Sequence, residues 1–248
     1  MSLSLAQTLT AIGPGLTSSF LVAGGTGPYT YSVRPNGAGG TINSSGLYTA
    51  PASVGETPQT LYDTIQVVDS TTPTPLSATA TILVGTPLLL FCEIIQNQLG
   101  LAQGRVYLWD QKVFQPTDSG LYVAVSVPSC KPFANNTSYD GNGNAIQSVN
   151  MLATVDIDII SRGPAARDQK EQVMLALMSD YSQLQQTANS FLIAKLPPGS
   201  RFLNLSNIDG AAIPYRYKIS VNMQYFVTKT QATPYYNTFA QPTVYTNP

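Results

Sequence analysis

Asp156 and Asp158 are the first candidates for an active site, because their carboxylates fall on one face of a strand. They are separated by one residue within the apolar stretch 149–160, and side chains alternate across a strand. Paired carboxylates can act as general acid and general base. No third catalytic group lies nearby in the sequence. We therefore expect both residues to line a solvated or subunit-facing surface, opposite Lys218 or Lys229 on a second long strand.

Two further motifs have a faint likeness to ligand-binding loops. Asp140-Gly141-Asn142-Gly143-Asn144 places oxygen atoms at alternate positions, as a calcium loop does. It lacks the terminal Glu of an EF-hand, and its Asp-Gly and Asn-Gly pairs favour a tight turn or hairpin tip. Gly24-Gly25-Thr26-Gly27 is followed by neither a helix nor a lysine, so it is not a phosphate loop. We expect no cofactor.

Residue types that commonly bind metals or carry out catalysis are scarce. The chain contains no histidine, and its two cysteines, Cys92 and Cys130, cannot form a four-ligand zinc site on their own. We interpret Cys92 as a small buried residue on an apolar helix rather than a reactive or paired thiol. We therefore expect no metal site and no enzymatic activity.

Composition narrows the choice of partners. The 12 basic and 13 acidic residues give a net charge of -1 and form no block of one sign, which argues against nucleic acid or an anionic membrane. We find no secretory signal and no apolar run long enough to span a bilayer. Charged residues make up only 10% of the chain, which also contains 18 Pro and 14 Tyr. This composition is typical of extended surfaces that bind other proteins.

Two long strands must position the acidic pair. Residues 149–160 alternate apolar and polar side chains, Arg162-Gly163-Pro164 ends that strand, and a helix with an apolar stripe follows. Residues 215–229 alternate in the same way over about 50 Å. The polar segment between Pro128 and Ser148 is predicted to be a loop that contains the tight turn.

The first 85 residues contain short segments rich in Thr, Val, Tyr and Leu. Gly and Pro separate these segments, as in a β-sandwich. The segments beginning Gly24-Gly25-Thr26-Gly27-Pro28-Tyr29, Gly46-Leu47-Tyr48-Thr49-Ala50-Pro51 and Asp63-Thr64-Ile65-Gln66-Val67-Val68 resemble bacterial and phage immunoglobulin-like domains. The resemblance implies an appended surface or spacer module without chemistry of its own.

The composition changes near Gly85, and Thr86-Pro87 can begin a helix. We predict two domains: an all-β immunoglobulin-like sandwich over residues 1–85, then an α+β domain over residues 86–230 with a mixed or antiparallel sheet packed by helices. Residues 231–248 are predicted to be an extended C-terminal arm that becomes ordered against a partner.

The order of elements after residue 86 resembles tail terminator and related head-to-tail joining proteins of tailed phages. The match centres on Thr154-Val155-Asp156-Ile157-Asp158-Ile159-Ile160-Ser161-Arg162-Gly163 leading into a helix. It implies a ring of six copies in the virion, made in the host cytoplasm, that contacts the tail tube and neck or connector proteins. The family has no catalytic residues to carry over. The residues expected at interfaces are Asp156, Asp158, Lys218, Tyr235, Tyr236, Phe239 and Tyr245.

A second interpretation belongs to a different class. The immunoglobulin-like part could bind a glycan or a receptor, while the rest anchors it to a virion or cell surface. Mixing the protein with host cells or polysaccharide separates the two interpretations.

Overall fold

The computed structural model describes residues 2–55, 61–109, 118–196, 199–206 and 215–232. The four aromatic residues predicted to be interface anchors in the arm, Tyr235, Tyr236, Phe239 and Tyr245, lie outside these ranges. Strands account for 47% of the structure and helices for 17%, so the protein is mostly β. The described strands form three sheets.

Two four-stranded sheets come first. Their orders are β1-β3-β6-β5 and β2-β8-β7-β4. The strands are β1 Ser4–Gln7, β2 Ala11–Ile12, β3 Thr17–Ala23, β4 Thr30–Val33, β5 Thr41–Ile42, β6 Leu47–Thr49, β7 Tyr62–Val68 and β8 Ser77–Val84. Phe20 and Tyr48 from one sheet pack with Ile65 and Ile82 from the other, so both sheets share a small apolar core.

The larger sheet follows, with order β12-β14-β11-β10-β9 and with β13 also paired to β14. Strand β9 is parallel to β10, and the other pairs are antiparallel. Its strands and the helices are α1 Pro87–Gln98, β9 Val106–Leu108, β10 Tyr122–Tyr139, β11 Ala145–Ser161, α2 Ala165–Leu177, α3 Asp180–Ala188, β12 Phe191–Ile193, β13 Leu203–Asn204 and β14 Tyr215–Gln231. Pro87 opens α1, and the Ser179 hydroxyl accepts a hydrogen bond from the Ser182 N–H to cap α3.

The helices cover one face of this sheet. Ala153, Val155, Ile157 and Ile159 of β11 are fully buried and form one cluster with apolar residues of α1 and α2. This is the burial that the alternation over residues 149–160 predicts. Strands β11 and β14 pair over their whole lengths, from Ala145 opposite Gln231 to Ser161 opposite Tyr215.

The predicted fold class is wrong, because the chain does not form two clearly separate domains. Ala11 of β2 and Leu83 of β8 belong to the same core cluster as helix α1. The Thr10 hydroxyl also donates a 2.6 Å hydrogen bond to Glu93 in α1. What the structure has is a mostly β fold with three sheets and, among the described residues, three helices. The composition of a segment reflects local preference and does not show which side chains pack across residue 85.

The segment between Pro128 and Ser148 is not a loop. Strand β10 continues to Tyr139 and pairs with β11 almost to the turn, with two register shifts on the way. The hairpin tip predicted at residues 140–144 is confirmed. There the Asp140 carboxylate accepts hydrogen bonds from the Asn142 and Asn144 N–H groups, each at 2.8 Å. The polar strands form because ladder hydrogen bonds are satisfied whatever the side chains are.

Candidate functional site

The candidate site is the far part of the large sheet, which we call the ribbon: residues 129–139 of β10, 145–152 of β11 and 226–231 of β14. Every residue of the ribbon in β10 and in β14 is exposed, and those of β11 are at most half-buried. Solvent therefore reaches both faces of the ribbon. Large apolar side chains are exposed on it, including Phe133, Tyr139, Phe226 and Val227. An isolated chain gains nothing from displaying such groups.

Both edges of the ribbon are open among the described strands. Strand β9 pairs with β10 at residues 123–125, close to the helices, and β12 pairs with β14 at residues 223–225. No described strand continues either pairing along the ribbon. Unpaired backbone N–H and C=O groups on an edge strand can accept another strand.

A row of charged side chains lies next to the ribbon, on the sheet face opposite the helices. Asp156 and Lys218 form a 2.6 Å ion pair, and the Ser220 hydroxyl donates to Asp156 at 2.5 Å. Asp158 pairs with Arg216 at 2.9 Å. Both aspartates are buried, whereas the two cations are partly exposed.

The contacts of Asp156 and Asp158 do not favour the interpretation that the two residues form a catalytic pair. Asp158 lies opposite Lys218 on β14 and Asp156 lies opposite Ser220, while Lys229 lies far along the ribbon opposite Gln147. Each carboxylate is bound by its own cation, so the pair is not held as a shared acid and base. The row instead connects β11 to β14 where the ribbon begins. A role in subunit contacts stays a prediction for these residues.

Sequence reasoning missed Arg216 and Trp109. The Arg216 guanidinium pairs with Asp158 and lies 5.5 Å from the centre of the Trp109 ring. The sequence did contain a signal for Arg216, because this residue shares the alternation of β14 with Lys218. Trp109 gave no such signal, since it follows β9, which lies beyond β10 in the sheet.

A second polar cluster joins the first sheets to the helices. The Tyr181 hydroxyl donates to Glu93 at 2.9 Å and contacts the Thr10 hydroxyl. Nearby, the Gly13 N–H donates to the Asn189 side chain at 2.6 Å, and Asn189 donates to Gln185 at 2.9 Å. Burial raises the pKa of Glu93 and of Tyr181. Each of these groups has a hydrogen-bond partner, so we interpret the cluster as a contact that holds the first sheets to the helices.

The two cysteines lie in different environments. Cys92 is buried on α1, as the apolar sequence around it predicts. Cys130 is exposed at the beginning of the ribbon, where its Sγ lies 3.3 Å from the Tyr225 hydroxyl. That hydrogen bond, together with burial, raises the pKa of Tyr225 to about 12.

Two clefts border the sheet. One, of about 710 Å³, lies beside β14 where the ribbon begins, between residues that include Pro14, Leu88, Ser190, Tyr225 and Val227. The other, of about 850 Å³, lies between α2, α3 and β12. Apolar side chains dominate both, and neither contains a pair of acidic residues.

Within the described ranges, no three His, Cys, Asp or Glu residues are placed to hold a metal ion. None of the described helices is long and apolar enough to cross a membrane. Comparison with protein-family models found none that matches the chain, and comparison with curated proteins found no match. A proposal for the function of this protein therefore rests on its fold and on the ribbon.

Proposed function

We propose that this protein is a structural protein that assembles into a ring of its own copies, with the ribbon as a main subunit contact. The observation that carries the proposal is the ribbon itself, a three-stranded sheet exposed on both faces and, among the described strands, open at both edges. Open strands of this length invite aggregation in a protein that works alone. When each edge is paired with a defined partner, it is no longer available for aggregation.

The two edges differ, which favours a ring over a symmetric dimer. One edge is β10 and the other is β14, and we propose that each contacts an unlike surface of a neighbouring copy. Unlike surfaces make a head-to-tail contact, which closes into a ring when the rotation between copies divides a full turn. The ion pairs of Asp156 and Asp158 hold β11 and β14 together just before the ribbon begins. They help to fix the direction of the ribbon relative to the rest of the sheet.

We further propose that the ring is a tail terminator or neck component that joins head and tail of a tailed phage. The support is the resemblance in element order and around Asp156 and Asp158. On this proposal the ring has six copies, contacts tail tube and neck or connector proteins, and belongs to the virion. No reaction is assigned, because the acidic residues are bound by their own cations.

The test is the mass of the purified chain by size-exclusion chromatography with light scattering, followed by negative-stain imaging. We expect a closed ring of six copies. A monomer at every concentration would overturn the proposal. A monomer that also sediments with host cells or polysaccharide would favour the surface-binding interpretation instead.

A further inference from the structure

The open edge of β14 presents a defined set of backbone groups. On the side away from β11, the Ala194 N–H donates to the Asn222 C=O at 2.8 Å, and the Leu205 N–H donates to the Arg216 C=O at 2.9 Å. Hydrogen-bonding direction alternates along an antiparallel strand, and the β11–β14 register has no shift. Phe226, Thr228 and Thr230 therefore direct their N–H and C=O groups to this side. Among the described strands, none pairs with them there.

Apolar side chains flank this edge on both faces of the ribbon. Val227 is 51% exposed on the helix side, where it borders the cleft of about 710 Å³ together with Tyr225 and Leu88. Phe226 is 55% exposed, and the alternation along β14 directs its side chain to the opposite face. A strand that covers both must carry large apolar side chains at consecutive positions, since neighbours along a strand point to opposite faces.

Residues 233–248 of this chain contain such a pair. Tyr235 and Tyr236 are consecutive, and no charged side chain occurs in the 16 residues of the segment. An uncharged strand suits this edge, because β14 itself already carries Lys229. At about 3.3 Å per residue, 16 residues reach about 50 Å.

The sequence of this segment favours β14 of a second copy over its own β14 as the partner. A return onto its own strand needs a tight hairpin after Gln231, and such turns use Gly, Asn or Asp with positive φ. Residues 229–236 contain none of these. Thr233 precedes Pro234, which restricts Thr233 to extended conformations. The sequence therefore provides no tight turn for a return to the same β14.

We infer that residues 233–248 of one copy add a strand to the open edge of β14 in a second copy. Tyr235 and Tyr236 then cover the two faces of that edge, one in the cleft and one against Phe226. The inference rests on the proposed function, because it requires copies that assemble, and it names one contact within that assembly.

The first experiment compares Thr228→Pro with Thr228→Val in the full-length chain. Proline removes the N–H that points to the open edge, while the β11 ladder does not use that N–H. Valine keeps the N–H and serves as the matched control. We expect at least about tenfold weaker self-association for Thr228→Pro, equivalent to about 1.4 kcal/mol. Circular dichroism should be unchanged. Equal association of the two variants would overturn the inference.

A cysteine experiment decides the matter if Thr228→Pro fails to fold. In a Cys130→Ser background, one preparation carries Thr228→Cys and the other carries Thr233→Cys or Thr238→Cys, to cover both strand directions. We expect oxidation of the mixture to give a disulfide-linked dimer that neither preparation gives alone. When both cysteines are on one chain, a crosslink within the monomer would show docking on its own strand and overturn the inference.

The failures of the two proposals can be told apart. If the unmodified chain is a monomer, the proposed function fails and this contact fails with it. If the unmodified chain forms rings but no crosslink joins the two preparations, the contact alone is wrong.

Discussion

Tyr48 and Asp63 form a buried hydrogen bond within the first two sheets. The Tyr48 hydroxyl donates to the Asp63 carboxylate at 2.6 Å, and the Gly39 and Gly40 N–H groups donate to the same side chain. A Cβ at Gly40 would lie 2.3 Å from the Tyr48 hydroxyl, so only glycine allows this approach. Burial, together with Asp63, raises the pKa of Tyr48.

Replacement of Tyr48 should destabilise the protein. Tyr48→Phe removes one donor from a buried carboxylate, and hydrogen bonds to charged groups contribute about 1.5–3 kcal/mol. We expect a loss of that size in the free energy of unfolding by urea. Tyr29→Phe is the control, because its hydroxyl donates to the Gly24 carbonyl at an exposed position. Equal losses in the two variants would contradict the buried bond.

Glu93 should make stability depend on pH with a defined sign. Burial raises its pKa above the ordinary 4.5, so the folded state binds this proton more tightly than the unfolded state. The wild-type protein should therefore lose unfolding free energy relative to Glu93→Gln as pH rises from about 4.5 through the raised pKa. Below about 4.5 the difference should stay constant. Urea titrations of both proteins across this range test the claim, and parallel profiles would refute it.

At the scale of elements, the ribbon combines polar sequence with long strands. Its side chains build no core, and its order comes from the ladder and from the paired charges beside it. We propose that the exposed apolar residues on it serve contacts between copies.

Removal of one such residue should weaken assembly without loss of fold. We expect Phe226→Ser to raise the dissociation constant for self-association by about tenfold or more, as truncation of aromatic anchors typically does. Leu175→Ser is the matched control, since Leu175 is 60% exposed on α2, away from the ribbon. Sedimentation equilibrium measures both. Identical behaviour of the two variants would remove Phe226 from the contact.

At the scale of the whole molecule, the contacts that residues 10–13 make with the helical part matter more than the composition change near Gly85. Thr10, Ala11 and Gly13 contact the helical part through hydrogen bonds and the shared core. The proposed ranges 1–85 and 86–230 meet between β8 and α1. Whether the second range folds alone stays a prediction.

A fragment of residues 86–248 should be less stable than the full chain. It loses the hydrogen bonds from Thr10 to Glu93 and from Gly13 to Asn189, and each such bond contributes about 0.5–1.5 kcal/mol. We expect a folded fragment with a lower urea midpoint that still assembles, since it keeps the ribbon. An unchanged midpoint would show that the contacts across residue 85 contribute nothing to stability.

Local patterns in the sequence were enough for several elements. Alternation over residues 149–160 and 215–229 predicted β11 and β14, and the Asp-Gly and Asn-Gly pairs predicted the turn at residues 140–144. The apolar helix around Cys92 was also predicted. These features depend on residues close together in the chain, where side-chain direction and backbone preference act directly.

Tertiary structure alone decided the rest. The sequence determined that Asp156 and Asp158 share a face, but the register between β11 and β14 decided that Lys218 and Arg216 bind them. The sequence showed a polar segment after Pro128, yet pairing with β11 made most of it a strand. The shared core of Ala11, Leu83 and α1 left no local mark, because packing between distant residues depends on where the chain brings them together and not on their neighbours in sequence.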